Sequence, residues 1–323
     1  MTSPIVAPPR ALVLGANGFL GRWMARTLTA AGSDVVGVSR AFDDTMMRQW
    51  GIGGRRVALD LSDLESVKAL VRRESPDVVF NLAGYGVDRN ERDAATAERI
   101  NAALPGALAE GCAELPETAW RGVRLVHIGS ALEYGTTGGV LREDAPMAPT
   151  TLYGVTKLRG TTRVTEVARR TGLRAFTGRL FTVFGPGEHA GRLFPTLVAA
   201  AHGQEPIPLS SGTQTRDFAF AGDVAYCLLQ LASSTVQPGE AVNVASGEMH
   251  TVHDFVLAAA HVLQIQTARL HFGEVAVRPE EMSHTGVSVD RLTTLTGAPL
   301  SSRLPTVLSR AVAAAQSVGW AGT

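Results

Sequence analysis

The first half of the chain alternates short apolar runs with longer stretches in which apolar residues recur every three or four positions. The short runs predict strands, and the longer period predicts amphipathic helices. Ser62 and Glu65 match a capping box, which predicts a helix start. Strands that alternate with helices favour an α/β fold, in which a doubly wound parallel sheet carries helices on both faces. The predicted strands are residues 11–14, 34–39, 56–59, 77–81, 123–128 and 174–180, and the predicted helices include residues 93–115 and 152–171.

The second half is less regular, because Pro and Gly become frequent after residue 185. We predict a flexible tail at residues 1–10, a large α/β unit at residues 11–185 and a smaller lobe at residues 186–323. Ligands of doubly wound sheets bind at the carboxyl ends of the strands, so residues that follow the predicted strands are the first candidates for a site. Helical periodicity returns at residues 193–201, 223–232, 252–263 and 305–318.

Composition narrows the class of protein. Of the 323 residues, 45% are hydrophobic and 19% are charged, as in ordinary globular proteins. Lys plus Arg equals Asp plus Glu at 30 each, so no net positive field favours nucleic acid or an anionic membrane as a partner. No apolar run is long enough to span a bilayer, and the first ten residues lack the pattern of a signal peptide. With two distant cysteines, Cys112 and Cys227, and no metal-ligand spacing, we expect a soluble, cytoplasmic protein without a metal site.

A glycine-rich segment follows the first predicted strand and opens the first predicted helix. Its spacing is G-x-x-G-x-x-G. Glycine permits a tight turn and close approach of the backbone to a pyrophosphate, and the helix N-terminus offers N–H groups to its oxygens. The segment therefore predicts a dinucleotide site. Its predicted contacts are Gly15, Asn17, Gly18, Phe19, Leu20 and Gly21.

Residues after the next three strands fit the same dinucleotide. The second strand ends in Ser39 and Arg40 with no carboxylate before Asp43, and an Arg at this place suits the 2′-phosphate of NADP(H). We therefore predict that NADP(H) is preferred, with NAD(H) as the alternative. After the third strand, an Asp side chain can accept a hydrogen bond from the adenine amino group, and after the fourth, small residues let the backbone approach. These further contacts are Asp60, Leu61, Leu82, Ala83 and Gly84.

Tyr153 and Lys157 stand four residues apart at the start of a long predicted helix, so their side chains share one face. A nearby ammonium stabilises a phenolate, so we expect Lys157 to lower the Tyr153 pKa from its usual value of about 10. A Tyr tuned in this way can donate a proton to a carbonyl or accept one from an alcohol. Ser130 follows the carboxyl end of the fifth predicted strand, where its hydroxyl can hydrogen-bond the reacting oxygen. We predict that these three residues are catalytic and that Tyr153 and Lys157 also contact the cofactor.

These residues resemble the extended short-chain dehydrogenases/reductases, the NAD-dependent epimerase/dehydratase family, over nearly the whole chain. Residues 179–187 (RLFTVFGPG), 216–218 (RDF) and 243–247 (NVASG) are similar to further motifs of that family. The resemblance implies a Rossmann domain, mainly residues 11–185, and a nucleotide-sugar-binding lobe, mainly residues 186–323. It also implies a place for Asn101 in the cofactor site and leaves a homodimer open.

The resemblance implies a nucleotide-diphosphate sugar as the partner molecule. Arg216 and Arg278 are the candidates to bind the diphosphate, because an Arg fork matches phosphate oxygens and stays charged. A chain without net charge needs such local cations for a doubly charged ligand. Further substrate contacts are implied at Glu133, at Thr182, where the family usually has Asn, and at Phe194.

Three functions stay open at this point. Dehydratases of the family carry acidic residues directly after the catalytic Ser or Thr, but Ala131 and Leu132 are apolar. The segment GSALEYG resembles reductases of GDP-4-keto-6-deoxymannose and similar 4-ketoreductases. We therefore predict an NADPH-dependent reductase of a nucleotide-linked 4-keto-6-deoxyhexose. The alternatives are a nucleotide-sugar 4-epimerase with tightly bound NAD and a non-catalytic NADP-sensing regulator on the same fold.

Overall fold

A computed structural model describes residues 7–87, 91–276 and 284–322. The described part combines a parallel central sheet with helices on both of its faces and a smaller lobe at one edge. Its strands are β1 (Arg10–Leu14), β2 (Asp34–Ser39), β3 (Arg55–Ala58), β4 (Val78–Asn81), β5 (Leu125–Ser130), β6 (Gly139–Leu141), β7 (Ala175–Leu180), β8 (Thr182–Phe184), β9 (Ile207–Leu209), β10 (Thr215–Arg216), β11 (Phe218–Phe220), β12 (Glu240–Val244), β13 (His250–Thr251), β14 (Leu270–Phe272) and β15 (His284–Val287).

The helices follow the predicted alternation. A π-helix (Glu98–Ala103) joins α4 to α5, so the predicted helix at residues 93–115 is one helical stretch with a widened turn. The helices are α1 (Phe19–Ala30), α2 (Asp44–Gln49), α3 (Leu64–Glu74), α4 (Ala94–Ala97), α5 (Leu104–Ala113), α6 (Leu152–Thr171), α7 (Leu193–Ala200), α8 (Ala221–Ser233), α9 (Val252–Leu263), α10 (Asp290–Thr296) and α11 (Leu304–Ser317). None of the helices within the described ranges is both long and apolar enough to cross a membrane.

Seven parallel strands of the described chain form the central sheet in the order β3-β2-β1-β4-β5-β7-β12. The strand order reverses between β1 and β4, which is the switch point at which ligands bind in sheets of this type. The predicted Rossmann fold is confirmed. Because all strands run the same way, the segments that follow β1, β2, β4 and β5 meet at one edge of the sheet.

Apolar side chains cover both faces of the sheet. One face packs against α3, α5 and α6 through residues such as Val79, Leu125 and Ala175. The opposite face packs against α1 and α8 through residues such as Phe80 and Phe176, and its core continues into the smaller lobe. The two faces explain why β4 and β5 consist almost entirely of buried residues.

The smaller lobe is built from short strand pairs and the C-terminal helices. β8 pairs with β11 and β9 with β14, and α9 packs against α7 and α11. Residues 240–244 lie within the segment predicted as this lobe, yet as β12 they pair with β7 and complete the central sheet. The chain therefore leaves the large sheet after β7, builds much of the lobe, and returns to the sheet once.

The predicted helix start at Ser62 is wrong by one residue. Asp63 is the N-cap of α3, and its carboxylate accepts a hydrogen bond from the Ser66 backbone N–H at 3.2 Å. Asp and Ser are comparable N-caps, so the pattern Ser-Asp-Leu-Glu offered two candidates for the same role. The backbone of Ser62 instead donates to the Asp60 carboxylate at 2.9 Å.

Candidate active site

The glycine-rich turn lies between the end of β1 and the start of α1. Gly15 has a φ of +74°, and a Cβ built on Gly21 would lie 1.9 Å from the Gly15 carbonyl oxygen. Only glycine at both places lets the turn close and α1 approach the sheet. Gly18 is the N-cap of α1 and gives it no side-chain hydrogen bond, so the first N–H groups of the helix are available to an anion.

The residues around this turn leave a polar position for a dinucleotide. The Asn17 Oδ1 atom is buried and has no hydrogen-bond partner within the described chain, so it can accept from a donor such as a ribose hydroxyl, whereas the pyrophosphate oxygens only accept. The turn packs closely on the segment after β4, since a Cβ on Gly15 would lie 3.0 Å from the Ala83 backbone nitrogen. Phe19, Leu20, Leu82 and Gly84 belong to the same two segments.

The segments after β2 and β3 form one polar corner. Ser39 is half-buried, Arg40 and Asp60 are exposed, and Leu61 is buried. Hydrogen bonds from Ser62 lower the pKa of the Asp60 carboxyl, and the charge of Arg40 lowers it further. Arg40 and Asp60 therefore lie within electrostatic reach of each other, as expected for two sides of one adenosine site. Their contacts to a cofactor stay predictions.

Tyr153 and Lys157 occupy the first turns of α6. Thr151 caps this helix, accepting a hydrogen bond from the Gly154 N–H at 3.0 Å. The Lys157 Nζ atom lies 5.7 Å from the centre of the Tyr153 ring and donates to the Ile128 carbonyl oxygen at 3.0 Å. It also lies beside Gly84, where an added Cβ would be 3.5 Å away. The ammonium is thus held between the catalytic candidate and the segment after β4.

The prediction that Lys157 lowers the Tyr153 pKa is wrong for this structure. Burial raises the pKa of the Tyr153 phenol, the Glu133 carboxylate raises it further, and the Arg192 guanidinium opposes the increase. Burial also lowers the pKa of the Lys157 ammonium to about 8. Desolvation by burial is the largest cause of both shifts. Tyr153 is consequently protonated at neutral pH, which is the form that donates a proton to a carbonyl.

Ser130 ends β5 on the wall of the cavity that also contains Tyr153. Its Oγ atom accepts a hydrogen bond from the Leu132 N–H at 3.2 Å, and its own N–H donates to the Glu133 carboxylate at 2.9 Å. These two bonds form a capping box on the short 3₁₀ turn at Ala131–Glu133. Because Oγ only accepts within this box, its hydroxyl hydrogen can still be donated toward the cavity.

The prediction that Glu133 contacts substrate is not supported, because its side chain has no exposed surface and lies behind the cavity wall. The 3₁₀ turn directs Glu133 inward, where Oε1 accepts from Thr161 at 3.0 Å and Oε2 pairs with the Arg179 Nε atom at 3.0 Å. A Cβ on Gly129 would lie 2.4 Å from the same carboxylate. Glu133 therefore fixes the turn that presents Ser130.

Asn101 is buried in the π-helix and acts within the protein framework. Its Oδ1 atom accepts from the Tyr85 N–H at 3.0 Å, while Nδ2 donates to the Tyr85 carbonyl oxygen at 2.8 Å and to the Thr156 hydroxyl at 3.0 Å. A Cβ on Gly160 would lie 2.1 Å from the Asn101 carbonyl oxygen. Asn101 thus joins the segment after β4 to α6, and its predicted contact to the cofactor stays a prediction.

Two cavities meet beside these residues. The first, of about 690 Å³, contains Ser130 and Tyr153, and the second, of about 320 Å³, lies within the smaller lobe. Thr182, Arg192 and Arg216 line both cavities and therefore mark their junction. The second cavity has largely apolar walls, which include Phe194, Leu209, Phe218, Phe255, Phe272 and Val275.

Among the predicted substrate residues, Thr182 and Arg216 lie at this junction and Phe194 lines the second cavity. Thr182 begins β8, and its N–H donates to the Asp217 carbonyl oxygen at 3.0 Å. Phe194 is 1% exposed and stacks on Trp320, with ring centres 6.0 Å apart. Arg278 lies outside the described residues.

Arg192 and His284 are among the residues of the first cavity that sequence reasoning missed. Arg192 is the N-cap of α7, and His284 begins β15 with 5% exposure. Burial and the charge of Arg216 lower the pKa of the His284 imidazole. A single Arg and a single His carry no sequence signal, because the junction forms only when the two lobes pack together. The Pro- and Gly-rich segment before Arg192 was the one available hint of a loop at a site.

Two relatives of this chain are named as a dehydrogenase and a reductase. It is 33% identical over 266 residues to a dTDP-6-deoxy-L-talose 4-dehydrogenase (NAD(P)⁺) of Kitasatospora kifunensis, covering 79% of this chain and 80% of that protein. It is 31% identical over 253 residues to the probable low-salt glycan biosynthesis reductase Agl14 of Haloferax volcanii, covering 76% and 77%. Among solved structures, MoeE5 in complex with UDP-glucuronic acid and NAD matches with a TM-score of 0.80 and 27% identity, covering 95% of this chain and 99% of that one.

The family model of the NAD-dependent epimerases and dehydratases matches residues 11–245. This region begins at β1 and ends directly after β12, so it contains every strand of the central sheet. It also contains the glycine turn and the catalytic candidates. The chain therefore belongs to the NAD-dependent epimerase/dehydratase family and is an oxidoreductase of that family.

Proposed function

We propose that this enzyme uses NADPH to reduce the 4-keto group of a nucleotide-diphosphate 4-keto-6-deoxyhexose. The observation that carries the proposal is the pair of joined cavities. The first brings Ser130 and Tyr153 together, the second offers apolar walls for a nucleoside, and Arg216 stands between them. A sugar, a diphosphate and a nucleoside occur in that order in a nucleotide sugar.

The catalytic residues divide the work of carbonyl reduction. Tyr153 donates its phenolic proton to the keto oxygen, and the Ser130 hydroxyl hydrogen-bonds that oxygen as negative charge develops. The Lys157 ammonium stabilises the resulting phenolate and also orients the nicotinamide ribose. The bound dinucleotide supplies the hydride. Burial of Tyr153 supports the direction of reduction, because it keeps the phenol protonated before the reaction.

The sites for the two ligands complete the proposal. Gly15 to Gly21 hold the pyrophosphate of the dinucleotide, and Ser39 and Arg40 bind the 2′-phosphate that distinguishes NADPH from NADH. Arg216 and Arg278 bind the diphosphate of the sugar nucleotide. Thr182 and Phe194 contribute to the wall that receives it.

The relatives support a reaction at C4. Oxidation of a 6-deoxyhexose at C4, as in the name of the Kitasatospora relative, is the reverse of reducing a 4-keto-6-deoxyhexose. Ala131 and Leu132 line the first cavity directly after Ser130. Neither side chain can act as an acid or base in the elimination of water, so this pair of residues argues against dehydratase activity.

A nucleotide-sugar 4-epimerase with tightly bound NAD is the second candidate. It is favoured by MoeE5, which was solved with a UDP-sugar and NAD. An epimerase needs the same Ser, Tyr and Lys, because it oxidises and then reduces one carbon. A regulator that only senses NADP has no need of a proton donor, so the Tyr153 and Lys157 pair opposes that alternative.

Two measurements on the purified enzyme test the proposal. Absorbance after purification and denaturation shows whether NAD is retained, and we expect none. Consumption of NADPH is then followed with a panel of dTDP-, UDP- and GDP-linked 4-keto-6-deoxyhexoses, and we expect turnover with at least one. Retained NAD together with interconversion of C4 epimers would establish the epimerase instead.

A further inference from the structure

We propose that Arg192 is a second cation of the diphosphate site, held in place by Glu188. This inference rests on the proposed function, since it names how one part of the same substrate is bound. Arg192 borders the cavity that contains Tyr153 and also the apolar cavity of the smaller lobe. Any ligand that places its sugar in the first and its base in the second passes its diphosphate beside this side chain.

The contact between Arg192 and Glu188 orients the guanidinium. The Arg192 Nε atom donates to the Glu188 Oε1 atom at 3.3 Å. This bond uses one edge of the guanidinium, and the two terminal NH₂ groups have no hydrogen-bond partner among residues 7–87, 91–276 and 284–322. Two NH₂ groups in one plane match two oxygens of a phosphate.

Glu188 can orient the Arg192 side chain because its own side chain is nearly buried and the turn before it is fixed. Its side chain is 10% exposed, and its Oε2 atom has no hydrogen-bond partner in the part of the chain that the structure describes. The preceding turn is fixed to α1, where Arg22 donates to the Gly187 carbonyl oxygen at 2.8 Å and Trp23 to that of Pro186 at 3.0 Å. Glu188 is therefore a positioning residue.

The surroundings of Arg192 favour an anion. Arg192 is the N-cap of α7 and gives this helix no side-chain hydrogen bond, so the positive end of the helix lies at the same place. Arg216 lines the junction as well. A diphosphate carries about two negative charges, and the guanidinium groups of Arg192 and Arg216 at the junction can share them.

Binding of nucleoside diphosphates tests this inference without requiring turnover. dTDP, UDP and GDP are titrated into the wild-type enzyme by calorimetry, and the tightest binder is then compared with its monophosphate. The variants are Arg192→Ala, Arg192→Lys and Arg216→Ala. Arg170→Ala, on the exposed end of α6, is the control. Thermal unfolding confirms that each variant is folded.

We expect Arg192→Ala to weaken diphosphate binding on the order of 10- to 100-fold, as for the loss of a charge-assisted hydrogen bond. The loss should be smaller for the monophosphate, and Arg192→Lys should restore part of the affinity. Wild-type affinity in Arg192→Ala, with a clear loss in Arg216→Ala, would overturn the role of Arg192 and leave the proposed function intact. If no nucleoside diphosphate binds, or if both Ala variants bind like wild type, the proposed function fails as well.

A double-mutant cycle tests the part played by Glu188. Glu188→Ala should weaken diphosphate binding several-fold in the wild-type background and have no effect in the Arg192→Ala background, since it acts through that residue. Glu188→Gln keeps an acceptor for the Nε hydrogen and should retain most of the affinity. Equal effects of Glu188→Ala in both backgrounds would contradict the positioning role.

Discussion

The Glu133 carboxylate and the Arg179 guanidinium form a buried ion pair directly behind Ser130, with Oε2 and Nε 3.0 Å apart. Because Glu133 also accepts the Ser130 N–H, the pair supports the catalytic turn and the fold together. We expect Glu133→Ala to lower the free energy of unfolding by about 3–5 kcal/mol, since it leaves a buried Arg without its partner. Urea denaturation measures this loss.

The matched control is Glu114→Ala, which removes an exposed ion pair with Arg72. Exposed pairs contribute about 0–1 kcal/mol. A loss in Glu133→Ala no larger than that of the control would contradict the structural role assigned to Glu133.

Tyr153→Phe should remove the proton donor and leave the binding of dinucleotide nearly unchanged. Loss of a general acid commonly lowers turnover on the order of 100- to 10,000-fold. Steady-state rates with a nucleotide 4-keto sugar and fluorescence titration with NADPH measure the two quantities. Tyr226→Phe, at an exposed position on α8, is the control. Turnover of Tyr153→Phe close to that of wild type would refute the catalytic assignment.

The pKa of Lys157, lowered to about 8 by burial, predicts how reduction depends on pH. Lys157 is charged below this value and neutral above it, so stabilisation of the phenolate weakens as pH rises. We expect kcat for keto reduction to fall above about pH 8. A flat profile to pH 9.5 would contradict this role.

Titration of Lys157 does not destabilise the fold over the pH range in which we expect kcat to fall. Its pKa is lower in the folded chain than in the unfolded one, so its contribution to stability increases with pH between about 8 and the usual value. Intrinsic fluorescence at each pH verifies that the enzyme stays folded across the profile.

Arg40→Ala should remove most of the preference for NADPH over NADH. An Arg–phosphate hydrogen bond contributes about 1.5–3 kcal/mol, or roughly 10- to 150-fold in affinity. Kd values for both dinucleotides in wild type and variant test this, with the exposed Arg48→Ala as the control. Equal affinities of the wild-type enzyme for NADPH and NADH would show that the end of β2 does not select the cofactor.

Local pattern was sufficient for much of the fold and of the site. The strands up to β5, the glycine turn and α6 each depend on residues close in sequence, and all lie within a few residues of their predicted bounds. The pairing of β12 with β7 depends on residues far apart, so no local period predicted it. The sequence predicted Ser130 as a site residue because it lies at the end of a strand. The inward direction of the Glu133 side chain depends on a 3₁₀ turn, which the sequence pattern did not predict.

Electrostatics was harder to predict than position. The spacing of Tyr153 and Lys157 predicted that they share one face of α6, but it did not predict how deeply their side chains are buried. That depth determines the sign of the Tyr153 shift, because it sets the cost of removing the phenolate from water. Arg192 was missed for a related reason: its importance comes from the two cavities that meet beside it.

The return of the chain to the central sheet as β12 has a consequence during synthesis on the ribosome. One edge of β7 stays unpaired until β12, which ends at residue 244, has left the ribosome. Much of the smaller lobe has been synthesised by then. A nascent chain that stops before this point presents unpaired backbone groups along β7, a surface on which strands of other chains can pair. The central sheet is complete only when the segment that contains the smaller lobe is present. We therefore expect that the large unit and the smaller lobe do not fold when each is expressed alone.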